Sequence, residues 1–160
     1  MLDRERWKTW QTKAAGEDLT MILDVENDIV PLAKELVSMG ASVVLLKCGA
    51  PGMYCCTAGA DKLNRLSERL GRCFDGWADR SVFERSYKPD IVRSGTGAGD
   101  TSIAAFLLST VRGYSFERCL QLCTGTGAMC VTSYDALGGL IPLEALEKRI
   151  NAGWEKQVLI

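Results

Sequence analysis

The sequence predicts an α/β fold: a mainly parallel sheet with helices on its faces and an antiparallel edge. Three observations carry this. A segment of helical period ends at Gly40 and leads into the apolar, β-branched run Ser42-Val43-Val44-Leu45-Leu46-Lys47. Such a run suits a strand covered on both faces, as in parallel sheets. A second short strand, Met53 to Thr57, follows the turn Cys48-Gly49-Ala50-Pro51-Gly52 closely enough to read as an edge hairpin. Finally, the glycine-rich turn Ser94-Gly95-Thr96-Gly97-Ala98-Gly99-Asp100 opens directly into an apolar helix.

The remaining elements follow in order. Leu2 to Ala14 reads as a charged helix with Trp7 and Trp10 on one side. Gly16-Glu17-Asp18 is a turn. Ile29, Leu32, Ala33 and Leu36 recur at helical spacing, and Gly40 ends that helix as a left-handed cap. Residues 59–80 are polar, with a helix near Asp61 to Leu70. Ser81 to Tyr87 is a further strand, and Pro89 breaks it. The helix from Thr101 to Val111 is apolar on nearly every side, which predicts full burial. Ser115 caps the next helix, where Phe116, Cys119, Leu120 and Cys123 share a face. Gly138-Gly139 is a loop, and a last helix runs from Pro142 to Ile150.

Composition narrows the function classes. The chain has 160 residues, 47% of them hydrophobic, and a net charge of -1. Its basic residues are scattered, so no nucleic-acid surface is expected. No apolar run approaches the ~20 residues of a membrane span. The N-terminus, Met1 to Arg6, is too charged for a secretory signal, and a cytoplasmic location is expected. Seven cysteines and no histidine argue for reduced, buried thiols rather than disulfides or a zinc site.

The glycine turn carries the chemistry. Gly95, Gly97 and Gly99 free the backbone for positive φ and for close approach to a ligand. A turn entering a helix presents unpaired N–H groups at the positive end of the dipole, which suits an anion. Asp100 sits beside that cradle. A carboxylate there adds nothing to phosphate binding, but it suits a base that takes a proton from an attacking hydroxyl. The N–H groups would stabilise the transferred phosphoryl oxygens. Against this stands the plainer reading of Asp as a helix cap and of the glycines as a packing turn. The G-x-G-x-x-G and G-K-[ST] patterns are both unmatched.

At this point the sequence resembles a known family. Thr96-Gly97-Ala98-Gly99-Asp100-Thr101 with Ile103 to Leu107 resembles the C-terminal signature of the ribokinase-like carbohydrate kinases of the phosphofructokinase B type. Val43 to Gly52 is similar to the family's strand and G-x-x-G turn beside the nucleotide. Ser115 to Leu120 and Gly125 to Thr132 are similar to the helix that flanks the adenine. The resemblance spans about 29–150 and implies a partial three-layer ribokinase-like sandwich. It implies ATP and Mg2+ as cofactors and a sugar, or a nucleoside-like hydroxyl, as acceptor. By position, it makes Asp100 the base and Gly97, Ala98 and Gly99 the anion hole. Gly49 and Gly52 would let the backbone approach ATP. Ser94, Thr96 and Ser133 would lie at a monovalent-cation loop.

The sequence departs from the family in several places. Ser94 replaces the usual cation-site Asp, Gly95 replaces Thr or Asn, and 59–80 is long. The family's Asn-x-x-Glu, which organises magnesium, is missing: Asn27, Asn64 and Asn151 are followed three residues on by Val30, Ser67 and Trp154. The chain has about half the family's length, so it reads as one C-terminal ATP-binding domain without the substrate and lid part. A truncated chain, a proteolytic product or a mis-set start at Met1 would account for this. The expectation is a kinase part that is inactive alone; a regulatory nucleotide-binding module is the alternative. Uncovered apolar surface predicts a dimer or higher oligomer, with Trp7 or Trp10 near the contact.

Overall fold

In a computed structural model, residues 4–158 are described. Six α-helices and three strands follow one another along them: α1 (Arg4–Ala14), α2 (Val30–Ser38), β1 (Val43–Lys47), β2 (Gly52–Thr57), α3 (Ala60–Leu70), β3 (Ser81–Arg85), α4 (Ala98–Val111), α5 (Phe116–Cys130) and α6 (Leu143–Asn151). A π-helical turn, Val25–Ile29, runs straight into α2. Of the helix expected from Leu2, the part before Arg4 lies outside the described residues. Trp10 is buried and donates from Nε1 to Asp28 at 2.9 Å, so it is committed internally, whereas Trp7 stays partly exposed.

The sheet has the order β1-β2-β3. Val43 faces Thr57 and Lys47 faces Met53; Gly52 faces Arg85 and Cys56 faces Ser81. Both pairings are antiparallel. This corrects the expectation of a mainly parallel sheet, since the described strands show no parallel pair. Apolar residues on both sides of a strand report that both faces are covered, and say nothing of the neighbour's direction. Here β1 and β2 form the expected hairpin, and the 58–80 excursion returns β3 antiparallel to β2.

Both faces are indeed covered, which makes three layers. Alternation assigns the side chains. Val44, Tyr54, Cys56 and Phe83 face Ile29 and Ala33 on the α2 side. Val43, Leu45, Met53, Cys55 and Val82 face Phe106 of α4 and Phe116, Cys119 and Cys123 of α5. Residues 59–80 are less polar in place than in sequence. Leu63, Phe74 and Trp77 are buried there, and Trp77 meets Phe74 and Phe116 edge-on with ring centroids 5.2 Å apart.

The more deeply buried helix is α5, not α4. Ten of its residues are buried, around its whole circumference. In α4, Leu107, Leu108 and Val111 are 57%, 44% and 53% exposed. The buried side of α4 is lined instead by small residues, among them Ser102, Ala105 and Ser109. Ser102 and Ser109 hydroxyls donate to the Ala98 and Ala105 carbonyls at 2.7 and 2.8 Å, which satisfies them inside the protein. Small side chains let α4 approach α5 closely: a Cβ at Gly127 would collide with Ser102 Oγ.

Six of the seven cysteines are buried, Cys73 alone is exposed, and all are free thiols. Burial pushes the Cys55 thiol up to about 12 and raises Cys123 as well. These groups behave as small hydrophobes.

The start of α4 depends on Gly97, whose φ is +80°. A Cβ at this residue would also collide with Ala136 Cβ and lie 3.1 Å from Ala136 Cα. Gly97→Ala is therefore expected to destabilise the fold by at least ~1–2 kcal/mol from backbone strain alone. Adding Ala136→Gly removes the collision and recovers part of the loss, but not the strain. Urea unfolding of both variants checks this; equal stability of wild type and Gly97→Ala would contradict it.

Candidate active site

The glycine turn is a helix start stripped of side-chain caps. Gly97 is the N-cap, and no side chain caps the N–H groups of the first turn. Ala98 N–H donates to the Gly95 carbonyl at 3.3 Å. Geometry leaves the Gly99 and Asp100 N–H groups without an acceptor inside the helix. In contrast, α5 is capped by Ser115 Oγ, which accepts from Arg118 N–H. Of the three alternating glycines only Gly97 has positive φ; Gly95 and Gly99 need no left-handed backbone.

A loop behind the turn holds it in place. The Val131 carbonyl accepts from Arg93 and Ser94 N–H at 2.8 and 3.4 Å. The Cys130 thiol lies 3.5 Å from the Thr96 carbonyl and 3.2 Å from that of Ala136. The segments 93–97 and 130–136, distant in sequence, thus form one unit.

This unit and the β1–β2 hairpin enclose a cavity of about 620 Å³. Of the residues predicted for the site, Gly49, Gly52, Ala98 and Gly99 line it, together with Gly95. Tyr87, Pro89, Val92, Ala128 and Val131 give it apolar surface. Its size and its mix of apolar wall with exposed backbone suit a small-molecule ligand. Gly97 and Asp100 do not line it; Asp100 stands exposed on the first turn of α4. The hairpin glycines answer to the protein as well as to the cavity. Gly52 has φ +148°, and a Cβ there would collide with the Glu84 carbonyl oxygen.

Ser94, Thr96 and Ser133 also lie outside the cavity lining. Their segments are adjacent, but their groups are engaged locally. Thr96 N–H donates to Ser94 Oγ at 3.1 Å, and Ser133 Oγ donates to Asp135 at 3.1 Å. Bonds from Leu137 and Gly138 N–H and from Ser133 hold the Asp135 carboxyl below the ordinary carboxylate range. Among the described residues, no three His, Cys, Asp or Glu side chains converge as a metal site.

Several lining residues escaped the sequence reading. Asp18 accepts from Thr20 N–H at 2.9 Å and from its hydroxyl at 2.8 Å, which lowers the carboxyl pKa. Gln157 donates from its side chain to the Ala50 carbonyl at 3.1 Å and from its backbone to Ser86 at 2.8 Å. Trp154 stacks on Tyr87 with centroids 4.7 Å apart. No sequence signal marks these contacts. Lys47 also lines the cavity, and it had a signal: it is the one charge ending an apolar strand, just before a glycine turn.

Comparison with known proteins gives the family and the fold. The family described as pfkB family carbohydrate kinase matches residues 11–142. Comparison with curated proteins by sequence found no match. Among solved structures, the ribokinase of Arabidopsis thaliana complexed with ribose and ATP aligns with a TM-score of 0.60 at 24% identity, covering 79% of this chain and 34% of that one. Cryptococcus neoformans ribokinase in complex with ADP aligns at 0.57 and 17% identity, covering 81% and 38%. The Methanocaldococcus jannaschii nucleoside kinase aligns at 0.54 and 21%, covering 69% and 30%. The chain thus spans 30–38% of these relatives' length. The family match covers most of the chain, and the chain belongs to the pfkB family of carbohydrate kinases.

Proposed function

We propose that this chain is the ATP-binding, C-terminal part of a kinase that phosphorylates a sugar or nucleoside-like hydroxyl. One observation carries the reading: the start of α4, with Gly97 as N-cap and no side-chain cap, opens onto a 620 Å³ cavity shared with the Gly49–Gly52 hairpin. Adenine would rest on the apolar surface around Tyr87, Ala128 and Val131. The phosphates would reach the first turn of α4, where Gly97, Ala98 and Gly99 form the anion hole. Asp100, exposed on the same turn, would take the proton of the attacking hydroxyl. The sugar and lid contacts would come from outside the chain, so the chain alone binds ATP and transfers nothing.

Magnesium would arrive on the nucleotide. Mg2+ commonly keeps its waters and binds through phosphates with one or two carboxylates, and the described residues offer no cage of three acidic, Cys or His side chains. A second reading, a non-catalytic nucleotide-binding module, is favoured by one fact: Asp100 does not line the cavity.

Self-association belongs to the same proposal. Leu107, Leu108 and Val111 form an exposed stripe on α4, and β1 has one unpaired edge among the described strands.

Calorimetric titration of the 160-residue chain is expected to show ATP binding; no binding at millimolar ATP would overturn the reading. In a phosphate-transferring protein that contains this chain, Asp100→Asn is expected to lower kcat at least ~100-fold with ATP binding kept. Unchanged kcat would favour the regulatory module. Sedimentation is expected to show a dimer or larger species, and a clean monomer at high concentration would remove that part.

A further inference from the structure

Lys47 is the last residue of β1. Val43 and Leu45 pack toward α4 and α5, and the strand's alternation puts Lys47 on the same side. Beyond the sheet its side chain runs across the first turn of α4. A Cβ placed on Gly99 would lie 2.7 Å from Lys47 Nζ, 3.1 Å from its Cδ and 3.3 Å from its Cε. Gly99 is not held in a left-handed conformation. What its missing side chain provides is room for the lysine stem against the helix backbone.

The ammonium group is uncommitted. Among the described residues Lys47 makes no ion pair and no hydrogen bond. Two charged residues line the cavity, Lys47 and Asp18. The Asp18 carboxylate already accepts two bonds from Thr20. A lone cation at a helix N-terminus meets the positive end of the dipole, which is unfavourable until an anion stands between them. An anionic group in the cavity would reverse the sign of that contact, because the ammonium and the helix N–H groups would then both act on it.

We propose that Lys47 is the phosphate-tail contact of this site: it reads the charge of the nucleotide's phosphates while the apolar wall holds the base. This rests on the nucleotide reading above. It assigns to Lys47 the selection of nucleoside polyphosphates over the bare nucleoside, a role the glycine turn cannot supply alone, since its N–H groups carry only partial charge.

The test is a set of calorimetric titrations of the 160-residue chain, wild type, Lys47→Ala and Lys47→Arg, with ATP, ADP and adenosine. Lys47→Ala is expected to weaken ATP binding about tenfold or more, the loss of one charge-assisted contact. ADP should weaken similarly and adenosine should not change. Lys47→Arg, which keeps the charge, should retain most of the ATP affinity. Raising the salt concentration should weaken ATP binding more for wild type than for Lys47→Ala. Equal losses for ATP and adenosine would show a structural role and overturn the proposal, as would unchanged ATP binding. Adenosine binding also reports whether each variant is folded. If wild type binds neither ATP nor adenosine, the nucleotide reading falls and this proposal with it. If wild type binds ATP and Lys47→Ala does so equally, this proposal alone falls.

Discussion

The close crossing of α4 and α5 governs where the cavity can be. Gly127 faces Ser102, and a Cβ there would collide with the Ser102 hydroxyl oxygen and stand 3.5 Å from the Ala98 carbonyl. Those two atoms belong to the first turn and a half of α4, and Ser102 donates to that same carbonyl. Any side chain at 127 would push on the end of α4 that opens onto the cavity. The crossing is close because the contacting residues are small, not because they are apolar. Interior packing at near-crystalline density leaves such a contact little slack. The position of the Gly97 turn therefore depends on α5 as much as on its own glycines.

This explains what was readable from sequence and what was not. The strands, the hairpin and the start of α5 were legible because each is a local pattern: an apolar run, a Gly-Ala-Pro-Gly turn, Ser115 as a cap; α4, expected from Thr101, begins at Ala98 inside the glycine turn. The layered arrangement followed from β1 being apolar on both sides. Strand direction did not follow, since an antiparallel hairpin buried on both faces has the same pattern as a parallel strand. Which helix is buried does not follow from sequence for a related reason. Apolar residues on nearly every side marked α4, but Thr124 and Gly125 are small enough to be buried in α5, whereas Leu107 and Leu108 of α4 face outward.

At the site, the local motif was visible and the long-range partners were not. Gly49, Gly52, Ala98 and Gly99 meet at one cavity, as a glycine-rich pattern can suggest. Asp18 and Gln157 reach the same cavity from near the two ends of the described chain, and no residue spacing encodes that meeting. The C-terminal segment deserves particular weight. It lies past the residues matched by the family, 11–142, yet Gln157 holds the Ala50 carbonyl and Trp154 stacks on Tyr87. The wall of the cavity is thus held in part by residues beyond that range.

The buried cysteines have a consequence for the lifetime of the protein. Six thiols are sealed in the core, and burial keeps at least Cys55 and Cys123 protonated at neutral pH, where a thiol is a poor nucleophile. Unfolding would expose all of them at once and return each to an ordinary, reactive thiol. Oxidants would then act on the unfolded chain far faster than on the folded one, and crosslinked chains could not refold. Conformational stability and resistance to oxidative damage are therefore one property in this molecule, and a loss of the first is a loss of the second.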